Sequence, residues 1–261
     1  MLKKIVIGVI VLAVLGGGTL FVLDRTLFAP AAVSSELPVA PTIAVPTREP
    51  TIAPAAPTQA PAAAPTSAPA VVEPTSAPAT GGAAVQLYRI DAAQSEARYE
   101  VDETFFQDNR LNTAIGRTKG IAGDILIDFA TPANSQIGDI VINVSQLTSD
   151  EGRRDNFIRN NGLESARYPE ATFKTTAISG LPAQVNVGDE VSFTIAGDLT
   201  VKQTTLPVTW QVRVTVEEGR ITGSAETAIK MSDFGVGPIQ LAFLATEDDM
   251  KLFFDFVAVA Q

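Results

Sequence analysis

The sequence predicts an all-β protein, about eight antiparallel strands with one short helix, and three observations support this fold class. Apolar residues alternate with polar residues over five pairs in residues 208–217, the period-two pattern of a half-buried strand. Several other segments alternate in the same way and end at predicted turns such as Glu218-Gly219 and Asp248-Asp249. Only one segment is typical of a helix, and no strand-helix-strand rhythm is present, which indicates an antiparallel barrel or sandwich.

Further strands are predicted wherever short alternating runs recur along the chain. These runs cover residues 125–129, 140–144, 171–175, 191–195, 221–231 and 252–256. The segment 113–129 is interrupted by Gly116, Gly120 and Gly123. Glycine lets a strand bend sharply, as strands must when a sheet closes on itself, so the pattern favours a barrel over a sandwich.

The single predicted helix covers residues 151–161. Thr148 and Glu151 have the spacing of a capping box at its start, and Gly162 follows its end. No proline interrupts this stretch.

Residues 1–28 are predicted to be a transmembrane anchor or a signal segment. Lys3 and Lys4 precede an uncharged run of 19 residues, 5–23, which is about long enough to cross a ~30 Å hydrocarbon core. The apolar core of a signal peptide usually has only ~7–15 residues, and the Ala29-Pro30-Ala31 sequence is a poor cleavage site. A single-pass membrane anchor is therefore the first interpretation, with a cleaved signal peptide and a secreted or periplasmic protein as the alternative.

The lysines near the N-terminus also set the expected topology. By the positive-inside rule Lys3 and Lys4 stay in the cytoplasm, so the chain after Arg25 is expected to be extracytoplasmic. Export follows from either interpretation of the apolar run.

Residues 29–85 are predicted to be a disordered stalk. They are rich in Pro, Ala and Thr, and 12 of the 17 prolines lie between Pro30 and Pro78. Closely spaced prolines remove amide donors and disfavour helix, so an extended, partly polyproline-II tether is expected. At ~3.1 Å per residue, such a tether could hold a folded domain well over 100 Å from the bilayer.

The composition excludes several classes of function for the folded domain, residues 86–261. The whole chain has no Cys and no His, which rules out thiolate chemistry, Ser-His-Asp triads and the common zinc sites. Its net charge is −10, which argues against binding to nucleic acid. We therefore expect no enzyme, no metal and no cofactor, with a hydrolase lacking His as a remote third hypothesis.

A set of short motifs then suggests a family. The motifs are Tyr88-Arg89-Ile90-Asp91, Leu147-Thr148-Ser149, Arg154-Asp155, Tyr168-Pro169, Gly197-Asp198-Leu199-Thr200, Leu206-Pro207-Val208 and Ser232-Asp233-Phe234-Gly235. These motifs have the order and spacing seen in the YceI-like family, and the domain resembles that family over nearly all of residues 86–261. The resemblance implies an eight-stranded, lipocalin-like barrel, exported in bacteria, with a long apolar pocket for polyisoprenoid-type lipids.

The candidate ligand-binding residues follow from the alternating pattern. Those on the predicted inner face of the strands are Phe173, Phe193, Ile195, Val208, Trp210, Val212, Phe254 and Phe256. Such a lining suits an alkyl or isoprenoid chain, although the same residues could simply fill the core of an eight-stranded barrel. The family resemblance favours the ligand, with an isoprenoid lipid or a quinone as its possible identity.

Two arginines could bind a polar head group at the barrel mouth. Arg153 and Arg154 open the predicted helix, and a guanidinium can pair with a pyrophosphate or a quinone oxygen. The alternative is that Arg154 and Asp155 hold the loop together. The predicted function is thus a membrane-tethered lipid carrier or sequestering protein, and the alternative is a structural or adhesive surface module with a filled barrel. No oligomeric state is predicted.

Overall fold

The computed structural model describes residues 28–45 and 85–261. Within these ranges the chain forms one antiparallel sheet of twelve strands and one short α-helix. The strands are β1 Val85–Ile90, β2 Glu96–Phe105, β3 Arg110–Thr118, β4 Ile121–Ala122, β5 Asp124–Asp128, β6 Gln136–Ile137, β7 Ile140–Asn143, β8 Glu170–Ser179, β9 Glu190–Val201, β10 Thr204–Glu217, β11 Arg220–Lys230 and β12 Leu244–Ala260. The helix α1, Gly152–Phe157, lies between β7 and β8 and continues into a π-helical turn, Ile158–Gly162.

The sheet is strongly curled. Its strands follow the order β4-β7-β8-β9-β10-β11-β12-β1-β5-β6, and β2 pairs with both β12 and β3. Because β3 continues into β4 after only two residues, the sheet returns on itself and encloses an apolar interior. This curled sheet is called the barrel below.

The all-β, antiparallel class and the single short helix are confirmed, but the number of strands is not eight. The predicted strand at residues 113–129 is broken at Gly120 and Gly123 into β3, β4 and β5. A Cβ at Gly123 would lie 2.5 Å from Ile140 Cδ1, so the chain kinks where only glycine fits. In the same way a 3-10 turn, Ala92–Gln94, separates β1 from β2, although both pair with β12.

Two local predictions at the ends of elements are also corrected. Thr148 does not cap the helix, because its backbone pairs with Arg117 in both directions at 2.8 and 2.9 Å. The cap is Glu151, whose side chain accepts a hydrogen bond from the Arg153 amide at 3.0 Å. The acidic pair at Asp248 and Asp249 does not form a turn; both residues lie within β12, at a bulge in its pairing with β2.

The predicted alternation is confirmed in the central strands. Trp210 pairs with Ile195 and Val212 pairs with Phe193 across the β9–β10 ladder, and all four side chains point into the interior. Phe256 of β12 lies in the same apolar cluster.

Aromatic rings lie over glycines on three pairs of neighbouring strands. A Cβ at Gly197 would lie 2.5 Å from Phe173 Cζ, and one at Gly223 would lie 2.7 Å from Phe256 Cζ. A Cβ at Gly116 would fall on the ring of Tyr99. Each ring therefore occupies the space that a side chain on the next strand would fill, which lets the sheet curl tightly around its interior.

Residues 28–45 run along the outside of the barrel without forming a helix or strand, and they are called the strap below. The barrel holds the strap through side chains that bind its backbone: Gln146 Nε2 donates to the carbonyls of Ser34 and Glu36 at 2.7 and 3.0 Å. Asn143 Nδ2 also donates to the Glu36 carbonyl, at 3.1 Å. Ser145 Oγ accepts from the Ser34 amide at 3.1 Å.

The strap includes the start of the predicted stalk. Composition predicts a disordered tether for residues 29–45. In the structure these residues contact the barrel from Asn156 of helix α1 to Gly138, which the Ile43 side chain approaches. The rest of the stalk, residues 46–84, and the predicted anchor, residues 1–27, lie outside the described residues. Among residues 28–45 and 85–261, no helix is long and apolar enough to cross a membrane.

The packing of the glycines predicts the effect of one substitution. Gly197→Ala places a methyl group against the Phe173 ring and the Lys174 carbonyl, and we expect it to destabilise the protein by about 1–3 kcal/mol. Gly152→Ala is the matched control, because nothing lies within 4 Å of a Cβ at Gly152, and its effect should stay within about 0.5 kcal/mol. Urea unfolding followed by circular dichroism measures both values, and equal midpoints for the two variants would contradict the packing argument.

Candidate ligand-binding site

The interior of the barrel contains an apolar cavity of about 280 Å³. This volume is close to the lower end of the ~300–1,000 Å³ range of small-molecule sites. Its wall is almost entirely aliphatic and aromatic, with β8, β9, β10 and β12 contributing most of the aromatic side chains. Such a wall offers apolar contact and few polar groups, so a bound molecule would be held mainly by burial of hydrocarbon.

Most of the inner-face residues predicted from the alternation line this cavity. They are Phe173, Phe193, Ile195, Trp210, Val212, Phe254 and Phe256. Val208 is the exception: its side chain is buried in the packed core and does not reach the cavity wall. The barrel interior is thus partly filled by side chains and partly cavity.

Aromatic contacts organise the wall. Trp210 meets Phe173 edge to face with ring centroids 6.0 Å apart, and Phe254 stacks on Phe256 at 5.2 Å. Aromatic pairs of this kind contribute about 0.5–1.5 kcal/mol beyond the burial of their area. They fix the shape of the cavity without adding polar atoms.

Trp210 also carries the most unusual polar group of the wall. Its indole Nε1 is buried and finds no hydrogen-bond acceptor in the part of the chain that the structure describes. A buried donor normally has a partner, because leaving it unpaired costs free energy. The indole N–H could donate to an oxygen of a molecule in the cavity.

The two ends of the cavity are formed by different elements. At the end nearest α1, the wall includes Ile158, Leu163 and Val236. At the opposite end, the wall includes Leu181 and Val185, from the β8–β9 loop. The end that carries α1 is called the α1 end below.

Arg154 lies at the α1 end but is bound to carboxylates of the protein. Its Nη2 donates to Glu103 Oε1 at 2.7 Å, and its Nη1 pairs with Asp150. Burial acts to lower the pKa of Arg154, but the neighbouring charges of Glu103 and Asp150 outweigh burial and raise that pKa. The guanidinium is not on the cavity wall.

Further polar contacts join the helical segment to the loop that precedes it. Asp155 Oδ1 accepts hydrogen bonds from the amide and hydroxyl of Ser149 at 2.8 and 2.7 Å. Arg159 Nη2 donates to the Leu147 carbonyl at 2.8 Å. This arrangement is the one expected if Arg154 and Asp155 hold the loop together, the alternative to a head-group site.

Arg153 points toward the strap. Its guanidinium carbon lies 4.6 Å from the centroid of the Phe28 ring, a cation–π contact. Arg153 is therefore not among the residues that line the cavity.

The partner that the sequence analysis missed is Glu103. It faces inward on β2, with a side chain only 3% exposed, and it also accepts a hydrogen bond from Asn112 at 2.8 Å. The signal available in the sequence was an acidic residue in phase with Tyr99 and Val101, both inward and buried. Burial raises the pKa of Tyr99 strongly, so its hydroxyl remains protonated in the wall.

A curled antiparallel sheet around an apolar cavity defines the class of lipocalin-like barrels. A model of the YceI-like domain matches residues 88–258, more than half of the chain. The chain therefore belongs to the YceI-like family.

Individual relatives agree with this assignment. The chain is 28% identical over 163 residues to protein YceI of Escherichia coli O157:H7, covering 60% of this chain and 79% of that protein. It is 27% identical over 164 residues to protein YceI of Salmonella newport, covering 60% and 80%. The crystal structure of Burkholderia cenocepacia BcnA has a TM-score of 0.53 and 24% identity, covering 65% of this chain and 99% of that one, and it is similar in fold.

The ion pair of Arg154 predicts a measurable effect on stability. Arg154→Ala leaves the buried carboxylate of Glu103 without its partner, and we expect a loss of about 3–5 kcal/mol. Adding Glu103→Gln should recover part of this loss because the unpaired charge is removed. Chemical denaturation of the two variants measures both values.

The control is Lys230→Ala, which removes a lysine that is 54% exposed and pairs with Asp249 at the surface. An exposed ion pair contributes only about 0–1 kcal/mol. If Arg154→Ala cost no more than Lys230→Ala, Arg154 would not fasten the helix, and the head-group interpretation would gain support.

Proposed function

We propose that this protein binds a polyisoprenoid or similar long-chain amphiphile in the barrel cavity, as a carrier or sequestering protein without covalent chemistry. The observation that carries the proposal is the apolar cavity of about 280 Å³ with its aromatic wall. The alternative, a structural surface module, predicts a barrel filled by side chains. Empty apolar volume lowers the free energy of unfolding by about 24 cal/mol per Å³, so a cavity without a ligand would only destabilise such a module.

Trp210 supports an amphiphile that carries oxygen. A pure hydrocarbon would leave the buried indole N–H without an acceptor. A quinone or another oxygenated isoprenoid could accept this hydrogen bond while its chain lies against Phe173 and Phe193. Trp210 is then both a wall residue and the one polar contact proposed for the ligand.

We further propose that the protein acts outside the cytoplasm, held at the membrane by residues 5–23. The support is the length of this uncharged run and the two lysines before it. A secreted or periplasmic protein, formed after cleavage of the segment, is the alternative location.

The ligand proposal predicts a signal from the single tryptophan of the chain. A long-chain quinone or polyprenol added to the delipidated protein should quench or shift the emission of Trp210 saturably, because the indole lies on the cavity wall. Native mass spectrometry before and after organic extraction should show the corresponding lipid mass. No saturable response across several isoprenoid and fatty ligands, in folded and empty protein, would overturn the proposal.

A pair of variants on one strand separates cavity filling from general disturbance. Ala225 is buried and lines the cavity, whereas Ala228 lies three residues further along β11 and is exposed. Ala225→Leu should weaken ligand binding because the added atoms take up cavity volume, and Ala228→Leu should leave it unchanged. Titration of Trp210 emission measures both affinities, and equal affinities would place the ligand elsewhere.

Extraction of the membrane fraction with sodium carbonate tests the membrane proposal. The full chain, expressed in a bacterium, should remain in the membrane fraction through sodium carbonate and should retain its N-terminal residues. A soluble chain that begins near Ala31 or Ala32 would identify residues 1–28 as a signal peptide.

A further inference from the structure

The strap is fixed to the α1 end of the barrel at its first described residues. The centroid of the Phe28 ring lies 5.9 Å from that of Phe157 in α1. The guanidinium carbon of Arg153 lies 4.6 Å from the same Phe28 centroid. Asn160 Nδ2 donates to the carbonyl of Ala29 at 2.8 Å, and the amide of Ala31 donates to Asn156 at 3.3 Å. The chain therefore reaches the barrel at its α1 end, at Phe28.

This attachment limits how far the barrel can stand from the apolar run. The run ends at Leu23, and five residues lead from it to Phe28. Five residues span at most about 18 Å even when fully extended. Residues 46–84 add nothing to this distance. They follow the strap in the sequence, between Val45 and Val85, whereas the apolar run precedes it.

The same end of the barrel presents exposed apolar side chains. The hairpin between β2 and β3 ends there, beyond the contact of Glu103 with Arg154. Leu111 on this hairpin is 78% exposed, and Phe106 and Phe243 are also exposed. The last two lie on adjoining segments, because the Phe106 amide donates to the Phe243 carbonyl at 2.9 Å.

We propose that the α1 end of the barrel rests on the lipid bilayer, held there by the strap, with Phe106, Leu111 and Phe243 at the lipid surface. The partner is the bilayer itself because the apolar run leads into the strap within about 18 Å of this end. The inference rests on the membrane anchor of the proposed function. The composition of the stalk predicts a barrel held far from the membrane, whereas in this proposal the barrel lies against the membrane surface.

This orientation has a consequence for the ligand. The cavity wall at the α1 end is built from Ile158, Leu163 and Val236. A long-chain lipid that enters the cavity by this end would contact these apolar side chains first. The strap thus determines which end of the barrel receives the lipid.

The test places a single label at each end of the barrel. The chain has no cysteine, so Leu111→Cys and Val187→Cys each give one labelling site. Val187 is the matched control: it is also an exposed aliphatic residue, at 61%, but it lies in the β8–β9 loop at the opposite end. The full chain is inserted into phosphatidylcholine vesicles that contain brominated acyl chains, which quench a fluorophore only at close range.

We expect the label at position 111 to lose most of its emission and the label at position 187 to keep it. Equal emission from both labels, in a chain that carbonate does not remove from the vesicles, would overturn the orientation while leaving the anchor intact. A chain that carbonate removes would overturn the anchor and this inference with it. Circular dichroism of each variant confirms that the barrel is folded.

A second arm tests the role of the strap. Gln146→Ala and Asn160→Ala together remove the side-chain donors to the carbonyls of Ala29 and Ser34 and one of the two donors to Glu36, which keeps Asn143. Quenching of the label at position 111 should then fall, while the chain stays in the membrane. Asn186→Ala, in the β8–β9 loop at the opposite end, should leave the quenching unchanged. Unchanged quenching in the double variant would show that the strap does not set the orientation.

Discussion

The contact between an aromatic ring and a glycine on the neighbouring strand is the interaction on which the barrel depends. A sheet that curls tightly brings its inner side chains together, and large residues at every inner position would collide. Gly116, Gly197 and Gly223 remove one side chain at each tight position, and a ring from the adjacent strand takes the space. The aromatic residues are therefore accommodated in the wall, and part of the interior stays free of side chains.

The fold class could be predicted from the sequence because a half-buried strand repeats every two residues. The alternation around Trp210 correctly assigned the inner face of β9 and β10, and hence one side of the cavity wall. The number of strands could not be predicted in this way, because breaks such as those at Gly120 and Gly123 occur where the pattern continues on both sides. Periodicity indicates which face is apolar, but it does not show whether hydrogen bonding is continuous.

The polar part of the site was harder to predict than its apolar wall. The sequence places Arg154 at the start of the helix, where its guanidinium could bind a head group, and offers Asp155 as the alternative partner. Its main partner, Glu103, is 51 residues away and is brought to it by the hairpin of β2 and β3. Long-range ion pairs of this kind depend on tertiary structure: the alternation with Tyr99 and Val101 marks Glu103 as inward, but it does not identify Arg154 as its partner.

The strap shows how a segment of low complexity can have a specific position. Its bonds to the barrel use its own backbone groups, at Ala29, Ala31, Ser34 and Glu36, while the barrel contributes the side chains. Substitutions within the strap thus preserve these bonds in most cases, except that proline at residue 31 or 34 would remove a donor. Insertions and deletions are different, because they shift every carbonyl relative to Asn143 and Gln146. Selection on this segment should therefore act on its length far more strongly than on its amino-acid identities.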